Sequence, residues 1–98
     1  MPEPHETRLR RLRMRSWRRG TKEMDLILGP FADGPMAALD AGALDLYEAL
    51  LEENDQDLYP WITARIAGRD AGPAALAPVL DAVAAHAAGR LGPKSDAF

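Results

Sequence analysis

TRLRRLRMRSWRRGTKEMDLILGPF, residues 7–31, contains two helices and the joint between them. Leu9, Leu12 and Ser16 recur at helical spacing, with Trp17 beside them. Arg8, Arg11, Arg15, Arg18 and Lys22 follow the opposite side at steps of three and four. This pattern predicts an amphipathic helix over about 7–19. Gly20 stands where a left-handed residue closes a helix, and Thr21 can cap the next one. Met24, Ile27, Leu28 and Phe31 then form an i, i+3, i+4, i+7 set, the buried line of a second helix. Gly29-Pro30 is expected to perturb or end its regular part, because proline lacks an N–H and restricts its predecessor.

Outward from this pair the same grammar repeats. Asp33-Gly34-Pro35 is a turn. Asp40 caps a third helix with the apolar line Ala43, Leu46, Tyr47 and Leu50, interrupted at Asn54-Asp55. Asp57 is expected to cap a short fourth helix burying Leu58, Trp61 and Ile62, with Pro60 in its first turn. Residues 69–73 are a loop, and Leu76, Val79, Leu80, Val83 and Ala87 mark a last helix ended by Gly89. That helix is alanine-rich, so it is expected to be the least firmly docked. No strand-like alternation occurs. The fold class is all-α, a small five-helix bundle: a flexible N-terminus over 1–6, a helical core over 7–70, and the C-terminal helix and tail of the same domain over 71–98.

Composition bounds the chemistry. A chain of 98 residues forms one domain and buries only about 60–65% of its unfolded surface, which disfavours a deep sealed pocket. The absence of cysteine removes disulfides, thiolate nucleophiles and cysteine-based metal sites, and His5 and His86 lie far apart. No apolar run approaches the roughly 18 residues needed to cross a bilayer. The opening MPEPHE lacks the apolar core of a signal peptide, so a bacterial cytoplasmic location is expected. The net charge of −3 conceals a division. Eight of the twelve basic residues lie between Arg8 and Lys22 with no acid among them, and ten acids lie between Glu23 and Ala64 with no base. Such dipolar surfaces commonly steer partners.

The joint also carries a family resemblance. Arg19-Gly20-Thr21-Lys22-Glu23 reads R-G-x-x-E and runs into Asp25-Leu26-Ile27-Leu28-Gly29-Pro30-Phe31. Leu50-Leu51-Glu52 and Asp55-Gln56-Asp57-Leu58-Tyr59-Pro60-Trp61-Ile62 follow in the same order. This succession, from about Arg8 to Ile62, closely resembles the small succinate dehydrogenase assembly factors, the flavinylation factors of bacteria and mitochondria. The resemblance implies a five-helix bundle that binds the flavoprotein subunit of succinate dehydrogenase, and often that of fumarate reductase, and promotes its autocatalytic covalent attachment of FAD to a histidine. It implies an assembly factor rather than an enzyme, with FAD carried by the partner and no cofactor or metal of its own. Gly20 and Glu23 match the functionally important motif positions and Arg19 begins the motif. Arg15, Arg18 and Lys22 of the basic stripe join them as expected partner-binding residues.

Plainer readings run beside this one. A glycine between helices adopts positive φ cheaply, and arginines in a last turn or an acid in a first turn complement helix dipoles. The arginine stripe is by default a solvated face. Its rival functional reading is a nucleic-acid-binding or ribosome-associated module, which the acidic remainder of the chain opposes. Glu3 and Glu6 oppose a mitochondrial targeting segment. Trp17 and Trp61 are expected as core or half-buried anchors. Glu48, Glu52, Glu53, Asp55 and Asp57 have neither calcium-loop nor metal-site spacing and read as a solvated face with caps. His86 has no nucleophile near it in the pattern, and no phosphate-cradling glycine loop exists to hold FAD.

Overall fold

Five helices follow one another: α1 (His5–Ser16), α2 (Lys22–Asp33), α3 (Ala41–Leu51), α4 (Asp55–Ile66) and α5 (Ala77–Leu91). Short 3₁₀ turns at Pro35–Ala38 and Ala74–Leu76 lead into α3 and α5. The computed structural model describes residues 3–91, and the expected C-terminal tail over 92–98 lies outside them. Among the described residues there is no strand, so the architecture is all-α as expected.

The caps follow local chemistry. The Thr21 hydroxyl accepts from the Met24 N–H at 3.4 Å, and the Asp40 carboxylate accepts from the Ala43 N–H at 2.8 Å. Gly20 takes φ +108° as expected, but α1 spans His5–Ser16 and is capped by Trp17, so Gly20 lies in the linker rather than closing the helix expected over about 7–19. Two proline expectations are corrected. α2 runs through Pro30 to Asp33, and α4 begins at Asp55 after Asn54, so Pro60 lies inside it rather than in its first turn. Each proline releases the carbonyl four residues earlier, at Leu26 and Gln56, and both those residues are exposed. Water can satisfy the freed oxygens, so neither helix breaks.

One core unites the helices. Leu12 from α1, Met24, Leu28 and Phe31 from α2, Tyr47 and Leu50 from α3, Leu58 and Ile62 from α4, and Leu80 and Val83 from α5 are all buried. The α3 line is Leu44, Tyr47, Leu50 and Leu51, with Ala43 and Leu46 only partly covered, a shift around the helix from the expected one. Phe31 stacks on Tyr47 with centroids 5.2 Å apart, and His86 meets its edge at 5.9 Å. The alanine-rich last helix is well docked after all. It buries Val79, Leu80, Val83, Ala84 and Ala87 against α2, α3 and α4, because small side chains let helices approach closely, and it continues past Gly89 to Leu91.

The arginine stripe sets how α1 lies. Arg8 bonds Asp45 at 2.6 Å and Glu48 at 3.0 Å, Arg11 bonds Glu48 at 2.9 Å, Arg15 bonds Glu52 at 2.7 Å and Arg19 bonds Asp55 at 2.9 Å. Both series ascend together, so α1 and α3 run side by side in one direction. The stripe expected to be solvated is therefore largely an internal ladder. Arg19 belongs to it in place of Arg18 and Lys22, which stay exposed. At the other end Glu3 holds Arg11 at 2.9 Å and the helix begins at His5, so the segment expected to be flexible is tied down from Glu3 onward.

Candidate functional site

The joint between α1 and α2 is built on Arg19. Its backbone N–H donates to the Asp25 carboxylate at 2.7 Å, anchoring the linker to the first turn of α2. Its guanidinium reaches three acceptors on the α3–α4 side: Asp55 Oδ1 at 2.9 Å, the Leu51 carbonyl at 2.6 Å and the Glu53 carbonyl at 2.6 Å. Leu51 ends α3, and a cation there satisfies carbonyls that have no helical partner and complements the helix dipole. Thr21 Oγ1 donates to the other oxygen of Asp55 at 3.2 Å. A single carboxylate at the start of α4 thus clasps both sides of Gly20.

The Arg19 side chain is only 10% exposed and its charge is matched within the chain. Arg19, expected among the partner-binding residues, finds its carboxylate within the chain at Asp55 and braces the corner from behind. Arg15 likewise turns to Glu52. Gly20, Thr21, Lys22 and Glu23 are exposed on the corner that the clasp holds, and Arg18 is exposed beside them. No atom lies within 4 Å of where a Gly20 side chain would start, so this glycine serves its positive φ and leaves open space above it. Glu23 faces a shallow depression that Gln56, Tyr59 and Pro60 close from the α4 side. Tyr59, 43% exposed, is a feature that sequence reasoning missed. Its signal was available: it sits beside Leu58 but off the buried Leu58–Ile62 line.

Trp17 is a half-buried anchor, one of the two placements expected of it. It is 39% exposed, and its indole lies flat over Gly29 while Nε1 donates to Asp33 at 3.2 Å. A methyl on Gly29 would sit 2.5 Å from ring atom Cε2 and 2.6 Å from Cε3, so this glycine is the notch that receives the ring. Trp61 is half-buried against the core, as expected.

Charge and burial shift three groups near this frame. The Arg11 and Arg8 guanidiniums hold the Glu48 carboxyl below its ordinary range, and Arg11 does the same for Glu3. Burial pushes the Tyr47 phenol up to about 12. Ser16 Oγ gives its one proton to the Leu12 carbonyl at 2.8 Å, so Tyr47 donates to Ser16 across 2.6 Å. Among the described residues no group of three or more His, Asp or Glu is arranged to hold a metal ion, and no helix is long and apolar enough to cross a membrane.

Residues 10–87 match the protein family described as flavinator of succinate dehydrogenase. The chain belongs to that family. It is similar to the FAD assembly factor SdhE of Pseudomonas aeruginosa, 41% identical over 66 residues that cover 67% of this chain and 77% of the relative. It is similar also to two proteins named succinate dehydrogenase assembly factor 2, mitochondrial. The Meyerozyma guilliermondii protein is 43% identical over 61 residues, covering 62% of this chain and 45% of its own length. The Mycosarcoma maydis protein is 40% identical over 63 residues, covering 64% of this chain and 26% of its own length. The chain thus spans less than half of either fungal relative. The matched family region contains the whole clasp, from Arg19 to Asp55.

Proposed function

We propose that this chain binds the flavoprotein subunit of succinate dehydrogenase and promotes covalent attachment of FAD to it, as an assembly factor with no active site or cofactor of its own. The observation that carries this reading is the exposed Gly20–Glu23 corner, held rigid from behind by Arg19 and Asp55 in a chain of the flavinator family. The reaction is autocatalytic in the partner. The reacting groups, the flavin and the histidine that would be joined to it, belong to the partner. The helper orders the partner's flavin domain, raising the fraction of molecules in reactive geometry, and several kcal/mol of a barrier can reside in such positioning. Gly20 admits close backbone approach, and Glu23 presents a fixed acceptor. The fumarate reductase flavoprotein, a related client by the same chemistry, and work in the bacterial cytoplasm belong to this proposal.

The nucleic-acid reading loses support, because Arg8, Arg11, Arg15 and Arg19 are already neutralised by carboxylates of the chain. The test is flavin fluorescence of the flavoprotein subunit on a denaturing gel, where only covalent flavin survives. Apo subunit and FAD incubated with this protein should give a band that is faint without it. Equal bands with and without the protein would refute the function.

A further inference from the structure

The arginines of α1 divide by face. Those on the α3 side are matched by carboxylates, whereas Arg10, Arg13 and, just past the helix end, Arg18 are exposed and make no ion pair among the described residues. Between Arg10 and Arg18 stands Met14, 48% exposed, more than any other large apolar side chain among the described residues. Arg10 and Met14 stand one turn apart on α1, and Arg18, two residues past its end, lines the same shallow groove with them, Thr7 and the paired Arg11, Arg15 and Arg19. The packing of this chain gives Arg10, Met14 and Arg18 no role. Full burial of a methionine stabilises by about 1.5–3 kcal/mol, which an exposed one forgoes. The unmatched cations repel one another until an acid lies across them.

The geometry points to this outer face of α1 as a second docking surface, taking an acidic segment of the client flavoprotein in which two carboxylates flank one apolar side chain. The inference rests on the client proposed above and adds where it is gripped. Arg10 and Arg18 line one groove, with Met14 between them in the sequence. Two carboxylates can each meet an arginine there, in the paired geometry guanidinium favours. The flexible thioether of Met14 adapts to the apolar residue between them. Arg18 lies two residues before Gly20, so one partner surface reaches this groove and the corner together. A polyphosphate has no use for the methionine, and it would be repelled by the acids that crowd residues 23–64.

Association of the apo flavoprotein subunit with the full chain, followed by stopped-flow fluorescence at low and high salt, tests this. The Arg10→Glu/Arg18→Glu variant should associate about tenfold more slowly and lose most of the salt dependence, since charges at an interface rim act chiefly on encounter. Met14→Ser should dissociate severalfold faster. The milder Arg10→Gln/Arg18→Gln variant covers any folding defect, and all variants should keep the wild-type melting curve because these side chains face outward. Wild-type rates and salt slope in every variant, with binding still weakened by Glu23→Ala, would overturn this surface and leave the corner standing. No binding by the wild-type chain would refute the client itself. Loss of affinity for a DNA duplex, with flavoprotein binding unchanged, would also overturn it.

Discussion

Replacing Arg19 with alanine removes three side-chain hydrogen bonds at once. Asp55, itself only 13% exposed, is left without its cation, the Glu53 carbonyl loses its donor, and the Leu51 carbonyl keeps only the longer 3.4 Å bond from Arg15. A hydrogen bond to a charged group contributes about 1.5–3 kcal/mol, and breaking a fully buried ion pair costs about 3–5 kcal/mol. Here water can reach part of the vacated site and Thr21 still donates to Asp55, so the expected loss is about 2–4 kcal/mol. A domain of this size has only about 5–15 kcal/mol in total, so the effect is large. Urea unfolding followed by circular dichroism should show the midpoint falling at nearly constant slope, and the melting temperature falling by about 10 °C or more. Arg19→Lys should recover only part, since an ammonium cannot span three acceptors in the planar fork. In a double-mutant cycle with Asp55→Asn, the two losses should be non-additive by about 1 kcal/mol or more. A loss below about 0.5 kcal/mol for Arg19→Ala would mean that the clasp does not hold the corner.

Gly29→Ala should expel the Trp17 ring, red-shifting its emission in a Trp61→Phe background and destabilising the fold by about 1–3 kcal/mol; unchanged emission would refute the notch. Glu48, its carboxyl held low by Arg11 and Arg8, contributes stability that is present above the ordinary glutamate range and lost as pH falls through its folded value. Glu48→Gln should therefore flatten the acid limb of a stability–pH profile, and high salt should weaken the wild-type protein in the same region. For Tyr47 the sign reverses: its folded value near 12 lies above the ordinary 10, so its contribution is complete below pH 10 and fades as pH climbs toward 12. Tyr47→Phe should cost about 1 kcal/mol at neutral pH and remove that alkaline decline, which urea titrations across the range would show.

What the sequence disclosed and what it hid follow from the range of the interactions. The caps at Thr21 and Asp40 and the positive φ of Gly20 depend on neighbours within four residues, so they could be read directly. The prolines could not, because their fate depends on whether the carbonyl one turn back faces solvent, as it does at Leu26 and Gln56. The exposed half of the motif, Gly20 and Glu23, was legible as a corner. The inward half was not: Arg19 and Arg18 are adjacent and chemically identical, and only Asp55 at the start of α4 and the Leu51 and Glu53 carbonyls, more than thirty positions away, decide which one turns inside. Likewise the basic run and the acidic run looked like two poles of a surface, but their common spacing of three and four let them close on each other. Trp17 lay next to the apolar line, and nothing local showed that Gly29 would receive it.

The central claim is that the Gly20–Glu23 corner acts on a flavoprotein client. It is tested most directly by the time course of covalent FAD formation in the apo succinate dehydrogenase flavoprotein, with wild-type chain, Gly20→Arg and Glu23→Ala at equal concentration. Neither substitution touches the core, so both variants should stay folded, with Gly20→Arg carrying a backbone cost of roughly 1–2 kcal/mol at its positive φ. Both variants should fall toward the rate measured without any helper, as the corner's role requires. Wild-type rates from two folded variants would contradict it.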